Sequence, residues 1–322
     1  MQGNNDFFDS RHFRIRPLAD GVYAAIAVDG GAASCNSGII DLGDFTVIFD
    51  SFLTPQAAID LLAASEKLSE SSVQYVINSH RHSDHIRGNQ VFRQAKIVST
   101  AKTREWLALK GQEDIRLDAE EATRELRALE TGQNATMQDE IDLWRGCYRG
   151  VLESIPTLEL KLPNLTFDTR MIFHGASRTA EIVTYGGGHT ESDAILLLPN
   201  ERIAFMGDLL FVKMHPWLSS GDPTEFVRIL EKVETLDLKT FVPGHGLVGM
   251  SGDIALNRKY VADLERLAAA AFNEGCSEEQ VAHMAIPSAF ATWRFRVFFE
   301  ANMRFLYKRI ETAMNRTNRG VC

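Results

Sequence analysis

Three of the nine histidines of the chain and one aspartate lie close together in the segment SHRHSDHIRGN, residues 79–89. In an extended segment, side chains two residues apart point the same way, so His80 and His82 can face one metal ion together. Asp84 and His85 follow after a change of direction and project toward a second ion. Because three titratable rings beside a carboxylate gain nothing from packing in an ordinary loop, the spacing predicts metal binding.

The segment cannot complete such a site alone, because a tetrahedral or five-coordinate ion needs more than two protein ligands. Three other side chains have a suitable setting: His189 in GGGHT, Asp208 in MGDLL and His245 in PGHG. Each follows an apolar strand in a glycine-rich turn, and strand ends converge on one edge of a layered α/β fold. Imidazole and carboxylate ligands without a thiolate suit Zn²⁺ but also bind Fe or Mn, and we predict zinc.

The elements that position these residues alternate between strand and helix, which is typical of an α/β protein. Thr54 followed by Pro55 predicts the start of a helix of about four turns. A second helix is predicted near residues 223–236. Apolar, β-branched runs bounded by turn residues predict strands at 21–28, 37–43, 45–51, 73–79, 165–175, 180–188, 193–199, 202–208 and 240–246.

Two parts of the chain lack the strand pattern. Residues 101–158 contain charged helical segments, which we interpret as a helical insertion. Residues 254–274 keep helical spacing up to Gly275, and a last helix is predicted from about 288 to 314. We therefore predict a catalytic domain over residues 1–250, including the insertion, and a C-terminal helical extension, 251–322, packed on the same domain.

The composition is that of a globular protein with an acidic surface. Lys and Arg number 34 against 43 Asp and Glu, a net charge of −9, which disfavours nucleic-acid binding. No apolar run resembles a signal peptide or approaches the ~18 residues of a membrane span. We expect a cytoplasmic protein that does not span a membrane, with reduced thiols at the widely separated Cys35, Cys147, Cys276 and Cys322.

The motif H-x-H-x-D-H at residues 80–85, followed in order by His189, Asp208 and His245, resembles the metallo-β-lactamase superfamily of metal-dependent hydrolases. The resemblance spans residues 13 to about 250. It implies a four-layer αββα sandwich with the metals at one edge, and a role for Asp50 in orienting the ligands. By position, it implies a first metal held by His80, His82 and His189, a second held by Asp84, His85 and His245, and a bridging carboxylate from Asp208.

Within the superfamily, a bridging Asp208 without a thiolate or serine at that position is similar to the glyoxalase II and lactonase branch. His82, in place of a glutamate, argues against the diiron flavoprotein branch. The first motif continues IRGN, where glyoxalase II usually has two glycines, and the C-terminal helices lack that family's glutathione-contacting basic residues. A glutathione thioester is therefore only one candidate substrate.

The implied activity is hydrolysis of an ester, thioester, lactone or lactam by a hydroxide that bridges two divalent metal ions. Asp84 would orient the hydroxide and pass on a proton. The alternatives are phosphoester hydrolysis on the same metal pair, an iron-dependent sulfur dioxygenase that uses one metal site, and a non-catalytic metal-binding protein.

The substrate is expected to be a small molecule, and its selectivity should come from residues above the metals. Because the segment 211–222 follows Asp208 directly, His215 and Trp217 are candidate pocket residues, although packing of the loop is an equal alternative. The aromatic residues of the last helix could form a lid. Aromatic residues at helical spacing are more often core, and their presence on more than one face also favours a homodimer.

Overall fold

The structure is a computed structural model that describes residues 7–132 and 138–319. The predicted domain ends, 1–6 and 320–322, lie outside the described residues, as does Cys322. Seven strands form the first sheet in chain order, antiparallel from β1 to β4 and parallel from β4 to β7. They are β1 (Phe13–Ala19), β2 (Val22–Ala27), β3 (Ser37–Asp41), β4 (Thr46–Phe49), β5 (Val73–Ile77), β6 (Lys96–Thr100) and β7 (Leu165–Phe167).

The second sheet has five strands in the order β13-β11-β10-β9-β8, and only the β11–β13 pair is parallel. A short parallel pair, β12 with β14, lies apart from it. The strands are β8 (Arg170–His174), β9 (Thr179–Thr184), β10 (Ala194–Leu198), β11 (Ile203–Phe205), β12 (Phe211–Val212), β13 (Thr240–Val242) and β14 (His245–Gly246).

Within residues 7–132 and 138–319, eight α-helices surround the sheets. They are α1 (Pro55–Leu68), α2 (Ser83–Ile86), α3 (Ala101–Glu130), α4 (Ile141–Ser154), α5 (Pro223–Glu234), α6 (Ser251–Asn273), α7 (Glu278–Ala282) and α8 (Arg296–Arg319). The side chain of Thr54 caps α1 by accepting the Ala57 N–H at 3.2 Å, with Pro55 in the first turn as predicted.

Alternate side chains of the strands face opposite layers. In β3, Ile40 packs between the two sheets, whereas Ile39 packs toward α1. In β10, Leu196 lies between the sheets, and Ile195 packs with the residues of α5 and α6. Because both faces of both sheets are covered, the layers follow the order helix, sheet, sheet, helix. The predicted αββα architecture is confirmed.

The C-terminal helices share a core with the second sheet. Tyr260 and Leu264 of α6 and Phe299 of α8 belong to the same buried cluster as Ile195 of β10 and Ile229 of α5. Within the described residues, no helix combines the length and the apolar content that a membrane span requires.

Two predicted elements differ from the structure. Residues 165–175 form not one strand but two, since β7 pairs with β6 in the first sheet and β8 pairs with β9 in the second. The last helix begins at Arg296 rather than near 288, and a short 3-10 turn occupies Ser288–Phe290. Phe295 has a φ of 61°, a left-handed conformation that an α-helix cannot contain, so α8 starts after it.

Candidate metal centre

The histidine segment follows β5 directly and changes direction at His82. His82 is extended, with φ −66° and ψ 147°, and it is the residue that precedes α2. His80 and His82 therefore precede the short helix, whereas Asp84 and His85 lie on it. This turn separates the four side chains into two pairs, as the sequence predicted.

The other three predicted residues reach the same place from the second sheet and its neighbouring pair. His189 lies between β9 and β10, Asp208 follows β11, and His245 begins β14. Gly244 allows this approach, because a Cβ at that position would collide with the Asp208 carboxylate. Asn36 holds the same turn, since its amide donates to the carbonyls of Pro243 at 2.9 Å and Gly246 at 2.8 Å.

The first ligand group consists of His80, His82, His189 and Asp208, and their ligand atoms all lie within 4.8 Å of one another. His189 Nε2 is 2.9 Å from His82 Nδ1 and 3.2 Å from Asp208 Oδ2. His80 Nε2 is 3.9 Å from the same carboxylate oxygen. Nitrogen and oxygen atoms at these separations can surround a single ion.

The second ligand group consists of Asp84, His85 and His245. Asp84 Oδ2 is 3.3 Å from His245 Nε2 and 3.7 Å from His85 Nε2. Asp208 reaches this group as well: its Oδ1 is 3.1 Å from His85 Nε2, and its Oδ2 is 3.4 Å from His245 Nε2. The carboxylate of Asp208 is therefore shared by the two groups.

Asp50 contacts residues of both ligand groups, directly in one case and through a serine in the other. It is completely buried with a φ of 60°, and its Oδ2 lies 2.7 Å from His85 Nδ1. The same oxygen accepts the Ser79 hydroxyl at 2.8 Å, and Ser79 Oγ is 2.9 Å from His80 Nδ1. The structure thus places Asp50 where it can orient ligands of both groups, through a serine that sequence reasoning missed.

Two further residues that hold ligands were also missed: Asp193 holds the loop of His189, and Ser220 contacts His82. The Asp193 carboxylate accepts the backbone N–H groups of Gly188 and His189 at 2.8 and 2.9 Å. An aspartate four residues after a glycine-rich histidine is a turn signal that the sequence did contain. Ser220 carried no such signal, because its hydroxyl reaches His82 Nε2, at 3.1 Å, from a distant segment.

Several buried atoms at the centre, although close to one another, make no hydrogen bond within the described part of the chain. They are His80 Nε2, His85 Nε2 and Asp208 Oδ1. A buried polar atom without a hydrogen bond is costly, and all three point into the space between the ligand groups. Metal ions bound there would satisfy these atoms, so the residues fit a metal pair.

The protonation states of three residues of the first group suit metal binding. Burial, followed by the charge of His85, lowers the pKa of His80 well below its usual value. Burial and the neighbouring His189 do the same to the pKa of His82, so both rings are neutral. Burial alone would raise the pKa of Asp208, but His245, His85 and His189 outweigh it and lower that pKa well below the usual range.

The thiol nearest the centre is not a ligand. Cys35 Sγ donates to the backbone carbonyl of Asp84 at 2.8 Å. Burial raises the pKa of Cys35 to about 12, so it carries no thiolate at neutral pH. The donor set is therefore imidazole nitrogen and carboxylate oxygen, a combination that binds Zn²⁺, Fe or Mn.

A cavity of about 1010 Å³ opens above the two ligand groups. His82, Asp84, His189, Asp208 and His245 lie on its floor.

Trp217 lines this cavity, as predicted, but His215 does not. His215 is fully buried, with Nδ1 3.1 Å from Tyr260 Oη and its ring 5.8 Å from the ring of Trp293. Packing against α6 turns its side chain away from the metals. The assignment of His215 to the substrate pocket is therefore corrected.

Two residues of α3, which belongs to the insertion, contact the metal loop, residues 79–89. The guanidinium of Arg81, between two metal-facing histidines, stacks 3.9 Å above the Trp106 ring of α3 and pairs with Glu191 at 2.7 Å. Asp118, also on α3, accepts hydrogen bonds from Ser83 and Arg87 on the other side of the loop. This part of the insertion therefore supports the metal loop.

Residues 30–245 match the family described as the metallo-beta-lactamase superfamily. Two similar solved structures are a metallo-beta-lactamase from Pontibacter korlensis and VMB-1. The first has a TM-score of 0.58 at 15% identity, covering 78% of this chain and 99% of the other. The second has a TM-score of 0.57 at 17% identity, covering 79% and 99%. These two likenesses concern the fold. No curated protein matches the chain.

The family match covers about two thirds of the chain, and its two groups of ligands meet at one shared aspartate. This chain belongs to the metallo-β-lactamase superfamily and is a metal-dependent hydrolase whose two metal-ligand groups share Asp208.

Proposed function

We propose that the protein hydrolyses a carbonyl substrate, namely an ester, thioester, lactone or lactam, with two Zn²⁺ ions as the metal pair. The observation that carries this proposal is the Asp208 carboxylate shared by both ligand groups on the floor of a large cavity. When bound, two divalent ions would lower the pKa of a bound water and polarise the carbonyl oxygen of the substrate.

Asp84 is the residue that we assign to orient the attacking water. Its side chain is 21% exposed, it lines the cavity, and Ser34 Oγ donates to its Oδ2 at 3.2 Å. Burial raises its pKa, but His85 and His245 outweigh burial and lower that pKa below the usual range. Asp84 is therefore a carboxylate at neutral pH, able to accept a hydrogen bond from water in the cavity.

The charge of the cavity supports a carbonyl substrate over a phosphoester. Asp118, Glu121 and Glu125 line it from α3, whereas its cationic lining residues are Lys213 and Arg294. Arg294 is paired with Asp29 at 3.0 Å, and Asp118 is paired with Arg87. Glu121 and Glu125 therefore contribute most to the negative charge of this side. Anionic phosphoesters are usually recognised by arginine-rich sites, and this lining offers them net repulsion away from the metals.

The test is a hydrolase panel run on protein whose metal content is measured. We expect two zinc ions per chain and turnover of at least one of an aryl ester, a thioester, a lactone or a lactam. His82→Ala should lose metal and activity together, while Leu109→Ala, at a side chain 81% exposed on α3, should change neither.

Turnover of bis-aryl phosphates with no carbonyl substrate would refute the proposed reaction class. A content of about one iron per chain would refute the zinc pair. Full activity in His82→Ala would show that catalysis takes place elsewhere.

A further inference from the structure

One side of the cavity is an aromatic wall, formed by Trp144 and Tyr148 of α4, Trp217 after β12, Phe295 before α8 and Phe298 within it. These residues come from three separate parts of the chain. All five line the same cavity whose floor is the metal centre.

The rings of the wall contact one another in a continuous series that ends at the ligand groups. The Phe298 ring centroid lies 5.1 Å from that of Trp217 and 5.1 Å from that of Phe295. Trp144 lies 5.2 Å from Phe295, and Phe295 packs edge-on against His245 at 5.4 Å. A group lying along these rings would therefore have its reactive end at the ligand groups.

The indole N–H groups of the wall are already bonded to the protein. Trp144 Nε1 donates to Glu140 Oε2 at 3.1 Å, and Glu140 is only 1% exposed. Trp217 Nε1 donates to Ser220 Oγ at 3.0 Å. Because both donors are used, the two indoles present their apolar faces to a ligand.

The cavity also has an apolar region formed mainly by α3 and α4 of the insertion. Leu53, Ala122, Cys147 and Val151 form a small buried cluster there, and all four also line the cavity. Ligand cavities commonly measure about 300–1,000 Å³, so this one has the volume for a substantial ligand. The shape and lining fit one extended apolar group better than a small polar substrate.

We propose that the substrate carries an apolar acyl group of about six or more carbons, which lies along the aromatic wall with its carbonyl at the metal centre. The identity of the bond that is cleaved rests on the proposed function, whereas the binding of the apolar group does not depend on it. The substrate class is thus a medium- or long-chain acyl ester, thioester or lactone.

The first experiment compares p-nitrophenyl esters with acyl chains of two, four, six and eight carbons on the metal-loaded full-length protein. Each buried methylene contributes about fourfold, so kcat/KM should rise at least about 100-fold from the two-carbon to the eight-carbon ester. Turnover that is equal along the series would overturn the proposed acyl site and leave the carbonyl hydrolase intact.

The second experiment locates the site on the wall. Phe298→Ala should lower the ratio of eight-carbon to two-carbon kcat/KM at least about tenfold, whereas Phe298→Leu should keep it within about threefold of wild type. Trp144→Leu should also lower the ratio, and Leu109→Ala should leave it unchanged. Metal content and the unfolding midpoint are measured for every variant, because a structural defect would lower both rates and leave their ratio unchanged.

A binding experiment separates failure of this proposal from failure of the proposed function. Octanoate should bind the metal-loaded protein at least about tenfold more tightly than acetate by calorimetry, and Phe298→Ala should remove the difference. If no carbonyl substrate is turned over, this difference still supports the acyl site. Equal affinity for octanoate and acetate would overturn it.

Discussion

The two ligand groups differ in how their histidines are held. In the first group, the outer nitrogens of His80, His82 and His189 each have a neutral oxygen partner within 3.1 Å. In the second group, His85 has the buried carboxylate of Asp50, whereas His245 Nδ1 is buried with no hydrogen-bond partner in the described residues. The His245 ring is instead stacked on Phe211 at 5.1 Å.

Exposure differs at single ligands rather than between whole groups. The Asp84 side chain is 21% exposed and lies at the cavity, whereas His80, His189 and His85 are at most 1% exposed. Ligands with fixed outer partners are preorganised, and such partners typically contribute about 10–100-fold to metal affinity. Because His245 has no such partner among the described residues, the second group is the less preorganised of the two. We therefore expect the second group to bind its ion more weakly.

Replacing the shared residue should have the largest effect, because it removes a ligand from both groups at once. In Asp208→Ala, we expect both ions to bind more than about 100-fold more weakly and activity to fall to background. Elemental analysis after dialysis, together with the hydrolase panel, measures this. A variant that retains one ion with wild-type affinity would show that Asp208 belongs to a single group.

Chelation should separate the two groups in the unmodified protein. As chelator concentration rises, one ion per chain should leave before the other, and activity should fall with the first. His245→Ala should lack the ion that leaves first and keep the one that leaves last. Loss of both ions in a single step, with equal affinities, would contradict the difference between the groups.

Replacing Asp50 tests the contact between its carboxylate and His85, which is the strongest outer contact of the second group. Asp50→Asn keeps the shape and tolerates the left-handed backbone, but an amide cannot provide a charged acceptor for His85. We expect the more weakly bound ion to lose about 10–100-fold in affinity, with a smaller loss at the first group through Ser79. Metal titration measures both values, and the exposed turn variant Asp20→Asn is the matched control. An unchanged second affinity would show that Asp50 only supports the fold.

The local sequence pattern is sufficient to predict which edge of the sheets carries the metal ligands. His80, His82, Asp84 and His85 follow a strand, and His189, Asp208 and His245 lie in glycine-rich turns, so chain direction placed them on one edge.

What the sequence could not predict depends on contacts between distant segments. Ser220 meets His82 across 138 positions, and the orientation of His215 is fixed by Tyr260 of α6. The left-handed Phe295, which delays α8 and brings its ring against His245, follows an ordinary helical pattern in the sequence. Tertiary packing determines these features, and the local sequence around each residue does not predict that packing.

The smallest effect is expected at Ser220, which supports the first group with a neutral hydroxyl. Ser220→Ala removes the partner of His82 Nε2 and of the Trp217 indole, and a neutral hydrogen bond contributes about 0.5–1.5 kcal/mol. We expect the tighter metal affinity to fall about 2–10-fold, since His80 and His189 keep their own partners. Ser219→Ala, at the neighbouring position, is the control for the loop, and metal titration is the measurement. If Ser220→Ala weakened the first ion as strongly as Asp50→Asn weakens the second, the first group would depend on a single contact, and the difference between the groups would not hold.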